Sequence, residues 1–157
     1  MNIKISVITA VFNRVDTVAD ALASVAAQTW PLVEHIAIDG GSTDGTLAVL
    51  DAHRQHLATL VSEPDKGIYD ALNKGIGRAT GDVVGFLHAD DLFQDDQALA
   101  RVAAAFADPA VDAVYGDLVY VRKHDPDQVV RYWHAGRFEP GCLAHGWMPP
   151  HPTFYVR

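Results

Sequence analysis

Five short apolar runs alternate with four segments of helical periodicity, and this alternation constrains the fold more than any other feature of the sequence. The runs, rich in β-branched residues, are 3–11, 35–38, 57–62, 82–87 and 113–121, and the helical segments between them are 15–27, 46–54, 68–79 and 95–107. Such an alternation predicts an α/β fold, with a largely parallel sheet and helices on both of its faces. Ligands of such sheets lie beyond the carboxyl ends of the strands.

Composition narrows the class of protein. A chain of 157 residues, 49% of them hydrophobic, can bury a core of its own as one domain. Its formal net charge of −8 disfavours nucleic acid as the main partner, because binding phosphates requires clustered Lys and Arg. Cys142 is the only cysteine, which excludes an intrachain disulfide and favours a reducing compartment. The sequence has no apolar run of the roughly 20 residues that span a membrane, so we expect a cytoplasmic chain.

Two carboxylates flank the glycine-rich loop after the second run. Asp39 ends that strand, where its carboxylate can accept the N3–H of a pyrimidine base or can begin an Asx turn. A position at the strand end favours the ligand role for Asp39. Asp44 stands just before the next helix, and we expect it to be structural, as a cap.

Adjacent acids follow the fourth run, at His88-Ala89-Asp90-Asp91. Two neighbouring carboxylates repel each other, and a hard divalent cation such as Mg²⁺ or Mn²⁺ offsets that repulsion, bound through one or two carboxylates together with substrate phosphates. Such an ion also neutralises a diphosphate leaving group. The alternative is a solvated loop that leads into a helix.

The third strand-end loop contains Lys66 before Gly67, at the start of a predicted helix. Lys66 can contact a phosphate with help from the helix N-terminus. It can equally be a solvated side chain beside Asp65.

The pattern loosens after residue 121. Residues 129–133 predict an antiparallel return strand, and a further strand begins at 153–155. Four aromatic side chains in this part of the chain can form a platform for a sugar ring, although covering the second face of the sheet is the use that we favour for them. They are Tyr132, Trp133, Phe138 and Trp147.

Five segments, in this order, resemble the motifs of one enzyme family. They are ISVITAVFNR at 5–14, QTW at 28–30, IDGGSTDGT at 38–46, DKGIYDALNKG at 65–75 and FLHADD at 86–91. Together they resemble the inverting glycosyltransferases of family 2, over residues 3–93 without interruption. The resemblance implies the GT-A fold, a Rossmann-like three-layer α/β/α sandwich. Two later segments, 114–117 and 151–155, resemble a polysaccharide-synthesis branch of the family.

The resemblance also implies roles for individual residues. Asp39 is expected to contact the nucleotide base, Asp90 to lie near the ribose, and Asp91 to bind the metal that bridges the diphosphate. The loop from Ala10 to Phe12 is expected to line the base pocket. The sequence departs from the family twice: His88 stands where an acid is frequent, and Phe12 replaces a frequent Tyr, which leaves only ring packing against the nucleotide.

Members of this family usually extend well beyond this length, so we expect a C-terminally truncated domain. Residues 1–157 then form a single GT-A domain, with 1–93 as its nucleotide-binding half and 94–157 as the start of an incomplete acceptor half. Inverting transfer requires a base within hydrogen-bond reach of the acceptor hydroxyl. The available candidates are Asp117, expected at the end of the fifth strand, and His151, although the true base can lie outside this chain.

The predicted function is metal-dependent transfer of a sugar, with inversion, from a UDP-sugar to a saccharide or to a lipid-linked saccharide. A lipid-linked acceptor would place the chain at the inner membrane face. Two alternatives remain open at this point. One is a nucleotide-binding fragment without transferase activity, and the other is a metal-dependent phosphohydrolase or nucleotidyltransferase.

Overall fold

The computed structural model describes residues 2–123 and 125–157, and it contains the predicted alternation of strands and helices. The strands are β1 (Ile5–Val11), β2 (Val33–Asp39), β3 (Thr59–Ser62), β4 (Val83–Phe86), β5 (Ala113–Val114), β6 (Leu118–Arg122), β7 (Asp125–Trp133) and β8 (Tyr155–Val156). The helices are α1 (Val18–Ala26), α2 (Thr46–Ala52), α3 (Ile68–Ile76) and α4 (Ala98–Ala105). Short 3₁₀ helices cover Arg54–His56, Cys142–His145 and His151–Thr153.

A six-stranded sheet organises the chain, with strand order β3-β2-β1-β4-β8-β5. β1 pairs in parallel with β2 on one side and with β4 on the other, and β3 extends the parallel set beyond β2. The strand order therefore reverses between β1 and β4. In open α/β sheets this switch point creates a crevice at the carboxyl ends of the strands, where ligands bind.

Helices cover both faces of the sheet, as the sequence predicts. All seven residues of β1 are buried, and they alternate between the two faces. Val7 packs in a cluster with side chains of α1 and α4, whereas Ile8 packs with Ala71 and Leu72 of α3. Near-continuous apolar runs such as β1 are typical of strands that are covered on both sides.

β8 lies between β4 and β5 and runs antiparallel to both. Gly85 of β4 makes this insertion possible, because a Cβ there would lie 2.1 Å from the ring of Tyr155. The ring fills that space and is almost completely buried. The strand expected to begin at residues 153–155 is thus present, inside the main sheet.

The fifth predicted strand is wrong as a single element. Only Ala113–Val114 joins the main sheet, and Leu118–Arg122 leaves it to form a separate two-stranded hairpin with β7. The break lies at Gly116, whose N–H donates to Thr153 Oγ1 at 3.2 Å and whose carbonyl accepts from the same hydroxyl at 2.8 Å. These bonds anchor the chain to the segment before β8, and the following residues turn away.

The hairpin reaches from the β5 edge of the sheet to the start of α1. Near its tip, Lys123 Nζ lies 3.6 Å from Asp16 Oδ2, in the loop before that helix. Apolar side chains are exposed along the hairpin, among them Tyr120, Val130 and Tyr132. Among the described residues, no helix combines the length and the apolar character needed to cross a bilayer.

Candidate functional site

The loops that follow β1 and β2 are joined into one surface at the switch point. The Asn13 N–H donates to Ser42 Oγ at 2.8 Å, and Asn13 Oδ1 accepts from the Thr43 N–H at 2.9 Å. Asn13 has a φ of 50°, in the left-handed region that Asn tolerates better than most residues. Arg14 adds a bond from its N–H to Thr46 Oγ1 at 2.8 Å. The two loops therefore hold each other in place.

Asp39 is fully buried at the end of β2 and organises the loop that follows it. Its carboxylate accepts hydrogen bonds from the N–H groups of Gly41 and Ser42, from the Ser42 hydroxyl, and from Ser62 Oγ at 2.6 Å. The Asx-turn interpretation of Asp39 thus describes its contacts correctly. Its expected contact with a nucleotide base stays a prediction.

Asp44 is structural, as the sequence analysis favours. Its Oδ1 accepts from the N–H of Thr46, the first residue of α2, at 3.0 Å, and its Oδ2 accepts from the N–H of Val15 at 3.2 Å. Hydrogen bonding from the Thr46 hydroxyl, together with these backbone bonds, lowers the pKa of Asp44.

The loop after β3 packs closely against the glycines of the β2 loop. A Cβ on Gly40 would lie 2.4 Å from Asp65 Oδ2, and Asp65 Oδ1 accepts from the Gly67 N–H at 2.8 Å. Lys74 anchors the loop from α3, with its Nζ 3.0 Å from Glu63 and 3.1 Å from the carbonyl oxygen of Pro64. Hydrogen bonding to Glu63 raises the pKa of Lys74.

Lys66 is exposed at the start of α3. Within residues 2–123 and 125–157 its ammonium group has no ion-pair or hydrogen-bond partner, while its backbone N–H donates to Asp70 Oδ2 at 3.1 Å. This exposure agrees with the alternative of a solvated lysine beside Asp65. A phosphate contact stays a prediction.

The acidic turn after β4 brings three titratable side chains together. The Asp91 N–H donates to the His88 carbonyl at 3.0 Å, which closes the turn. Burial raises the pKa of Asp91, the nearby imidazole of His88 opposes that rise, and the charge of Asp90 adds to it. Asp90 is exposed, and its Oδ2 lies 3.8 Å from Nε of Arg14, across the switch point.

Asp91 is the residue of this turn whose surroundings favour a divalent cation. No group of three or more His, Cys, Asp or Glu side chains is arranged as a metal centre in the described parts of the chain. Asp91 nevertheless keeps a carboxylate in a poorly solvated place, and Nδ1 of His88 is shielded from solvent with no hydrogen-bond partner among the described residues. A cation bound at Asp91 would neutralise that carboxylate.

Ala10 and Phe12 differ in what they offer a ligand. The Ala10 side chain is buried in the cluster between the sheet and α3, and its backbone pairs with Ile38 of β2. The Phe12 side chain is 57% exposed directly after the strand. The sequence analysis did not name Arg14, whose side chain lies near Asp90 at the switch point. Its position could have been noticed from the sequence, because it is a positive charge in the first strand-end loop of an acidic chain.

The two candidate bases lie in neighbouring segments, joined by the contact between Gly116 and Thr153. Asp117 follows β5 in the loop before the hairpin, not at the end of a continuous strand. Its carboxylate accepts from the Ala135 N–H at 2.9 Å and contacts His134 Nδ1 at 3.0 Å, and these bonds lower its pKa. His151 is exposed in a 3₁₀ helix.

The expected aromatic cluster forms only in part. Trp147 contacts Phe138 edge to face, at 5.6 Å between ring centroids, and it contacts Tyr115 at 5.3 Å. Tyr132 instead stacks on His134 at 4.7 Å and is largely exposed. All four side chains lie outside the three buried core clusters, so the prediction that they cover the second face of the sheet is wrong: Tyr132, Trp133, Phe138 and Trp147.

Fold and site together define a class: an α/β protein with a mostly parallel sheet and an acidic turn at the switch point of that sheet. Comparison with known sequences specifies the family within this class. The model of "Glycosyl transferase family 2" matches residues 6–154, nearly the whole chain. The chain belongs to this family, and its fold is the GT-A fold expected from the sequence.

Similar proteins include enzymes of glycoconjugate synthesis. A PGL/p-HBAD biosynthesis glycosyltransferase of Mycobacterium bovis is 37% identical over 118 residues, which is 73% of this chain and 46% of that protein. The mannosyltransferase PcManGT from Pyrobaculum calidifontis, solved with GDP-Man and Mn²⁺, superposes with a TM-score of 0.68 at 30% identity, over 78% of this chain and 37% of that one. S. aureus TarS, solved with UDP-GlcNAc, superposes with a TM-score of 0.64 at 26% identity, over 76% of this chain and 34% of that one. The chain spans less than half the length of these relatives.

Proposed function

We propose that this chain forms the donor-binding part of an inverting glycosyltransferase that uses a UDP-sugar and Mg²⁺ or Mn²⁺. The observation that carries the proposal is the convergence of Asp39, Arg14 and the pair Asp90-Asp91 at the carboxyl ends of β2, β1 and β4. The relatives solved with GDP-Man and Mn²⁺, and with UDP-GlcNAc, support a nucleotide-sugar donor.

Each residue has a part in this proposal. Asp39 accepts the N3–H of uracil once the hydroxyl groups of Ser42 and Ser62 rotate away from its carboxylate. Phe12 packs against the base, and Asp90 lies near the ribose. Asp91 holds the cation, which when bound neutralises the negative charge that develops on the departing diphosphate. Lys66 contacts a phosphate with the N-terminus of α3.

Transfer itself requires a base for the acceptor hydroxyl. The acceptor oxygen attacks C1 of the sugar from the side opposite UDP, which inverts the anomeric centre. Residues 94–157 begin the acceptor side in this proposal, with Asp117 or His151 as the base. The low pKa of Asp117 makes it a weak base, which favours His151 of the two.

The test is calorimetric titration of UDP with and without Mn²⁺, with GDP and dTDP for comparison. We expect metal-dependent binding of UDP, and its loss in the Asp91→Ala variant. Asp51→Ala, which removes an exposed carboxylate on α2, is the matched control and should bind as the unaltered chain does. Equal binding with and without metal, or undiminished binding by Asp91→Ala, would contradict the assigned role.

A second candidate function is nucleotide binding without transfer. It is favoured by the contacts of Asp117, whose two oxygens are already engaged by Ala135 and His134. Incubation with UDP-GlcNAc and UDP-Glc distinguishes the two functions. Release of UDP with water or a saccharide as acceptor indicates a transferase, and tight binding without release indicates the second function. Release of UMP and a sugar 1-phosphate would instead indicate a phosphohydrolase.

A further inference from the structure

Asp117 and His134 form a hydrogen-bonded pair in the segment between β5 and the end of the hairpin. His134 Nδ1 lies 3.0 Å from Asp117 Oδ2, and Asp117 Oδ1 accepts from the Ala135 N–H at 2.9 Å. The bond from Ala135 and the contact with His134 lower the pKa of Asp117, so its carboxylate is ionised at neutral pH. An ionised carboxylate only accepts hydrogen bonds, and Nδ1 of His134 therefore carries the proton of the neutral ring.

The contact sets the tautomer of the imidazole. With the proton on Nδ1, the lone pair of the neutral ring is on Nε2, where it can accept a proton. The His134 side chain is 74% exposed, and among the residues that the structure describes its Nε2 has no hydrogen-bond partner. An imidazole that a carboxylate orients through one nitrogen, with the other nitrogen accessible, is the arrangement of a general base.

Tyr132 stacks on the same imidazole. The two ring centroids lie 4.7 Å apart, with 22° between the ring planes. Stacking restricts rotation of the imidazole, and the bond to Asp117 fixes its direction within the plane. Tyr132 is itself 53% exposed, and an exposed aromatic ring offers a surface for the apolar face of a sugar. The pair therefore lies beside a surface that suits a saccharide.

The sheet topology places the pair at the same edge as the acidic turn. β8 runs antiparallel to both β4 and β5, so β4 and β5 point in the same direction. Asp90 and Asp91 follow β4 and Asp117 follows β5, which places all three at the carboxyl edge of the sheet. One strand separates β4 from β5, so the lateral distance between them is roughly 10 Å. That distance leaves room for a sugar ring between the acidic turn and the pair.

We propose that His134 is the base that takes the proton of the acceptor hydroxyl, and that Asp117 is the positioning residue that holds its Nδ1–H. Nε2 accepts this proton while the acceptor oxygen forms its bond to C1 of the sugar. The bond from C1 to UDP breaks, and its electron pair leaves with UDP. The Asp117 carboxylate stabilises the imidazolium that forms. The inference rests on the proposed function and deepens it, because His134 takes the place left open there between Asp117 and His151.

Nuclear magnetic resonance of the ring nitrogens tests the tautomer in the full chain. Long-range ¹H–¹⁵N correlation of the neutral ring should show the proton of His134 on Nδ1. In Asp117→Asn the amide oxygen keeps the bond from the Ala135 N–H, which leaves the amide NH₂ facing the ring, so the proton should move to Nε2. A proton on Nε2 in the unaltered chain overturns the inference, and this result requires no variant.

The rate of transfer gives an independent test. It is measured as UDP release from UDP-GlcNAc and UDP-Glc with a saccharide acceptor. His134→Gln and Asp117→Asn should each lower kcat by on the order of a hundredfold or more, the contribution of general base catalysis. KM for the donor should stay within about twofold, because neither side chain is placed at the nucleotide. Imidazole added to His134→Gly should restore part of the lost rate, which a structural role for the ring would not allow.

His145→Gln is the matched control, because it alters an exposed histidine of another segment, and it should keep the full rate. An unchanged kcat in His134→Gln overturns the inference while the proposed function stands. Binding of the donor by the unaltered chain without release of UDP also overturns the inference, and it favours the second candidate function. Failure of UDP to bind with Mn²⁺ or Mg²⁺ overturns the proposed function, and the assignment of His134 with it.

Discussion

Asp39 and Asp44 lie in one loop, five residues apart, and their contacts assign them different uses. Asp39 is buried at the strand end, beside the switch point, whereas Asp44 is tied to the backbone of Thr46 and Val15. Asp39→Asn should weaken UDP binding about tenfold or more, because a hydrogen bond to a charged group contributes roughly 1.5–3 kcal/mol. Calorimetry with UDP and Mn²⁺ measures this change.

The comparison variant is Asp44→Asn. It should leave the affinity for UDP within about twofold while lowering the melting temperature, because the bonds at the start of α2 are weakened. If Asp39→Asn lowers only the melting temperature and leaves binding intact, Asp39 serves the turn alone.

At the residue scale, the strand-end acids could be placed from sequence, but their partners could not. Asp39 and Asp91 follow apolar runs, and strand ends of parallel sheets meet at one edge. The contact between Arg14 and Asp90 depends on the strand order, with β4 next to β1, which local patterns do not specify. His35 was expected only as part of a strand, and its burial depends on tertiary packing.

Among the elements, β8 depends on one small residue of its neighbour. Gly85→Ala places a methyl group 2.1 Å from the ring of Tyr155. Either the ring moves, or β8 separates from β4. Overpacking of this kind costs typically 1–3 kcal/mol. We therefore expect a lower urea concentration at the midpoint of unfolding, measured by circular dichroism.

Gly116→Ala is the matched control for this prediction. A Cβ at that position has no atom within 4 Å, and the backbone bonds to Thr153 remain available. An equal loss of stability in both variants would show that glycine flexibility, rather than the space for Tyr155, is what matters at residue 85.

The helices and the first four strands follow from periodicity, whereas the region after residue 113 does not. The run 113–121 has the composition of one strand, yet Gly116 and Asp117 are bonded to Thr153 and Ala135, which lie 37 and 18 residues further along the chain. Contacts at such separations override local β-propensity. The residues of the resulting hairpin are mostly exposed. One face of the hairpin is therefore not buried, and an alternation of apolar and polar residues is not required of its strands.

For the whole molecule, two buried groups on β2 set the response to acid. Burial lowers the pKa of His35 from 6.5 to about 4, while its Nε2 lies 3.0 Å from Thr9 Oγ1. Burial alone would raise the pKa of Glu34, but hydrogen bonds from Ser6, Thr80 and Lys4 bring it from 4.5 to about 2. The folded state thus holds a neutral imidazole and an ionised carboxylate.

The signs of the two effects agree, but their pH ranges differ. Between pH 6.5 and 4, His35 is protonated in the unfolded chain and neutral in the folded chain. The free energy of unfolding therefore falls as the pH drops from 6.5 to 4. Glu34 adds a second loss, as the pH drops from 4.5 to 2. Each shift corresponds to about 3 kcal/mol at 1.36 kcal/mol per pKa unit.

Two variants separate these contributions. His35→Gln retains a side chain that forms hydrogen bonds, but glutamine does not bind a proton between pH 6.5 and 4.5. The free energy of unfolding of this variant should therefore be nearly constant over that range. Glu34→Gln should lose stability at neutral pH but keep the slope of the unaltered chain over that range. Urea unfolding at intervals of half a pH unit measures both, and a slope in His35→Gln equal to that of the unaltered chain would assign the acid response to other groups.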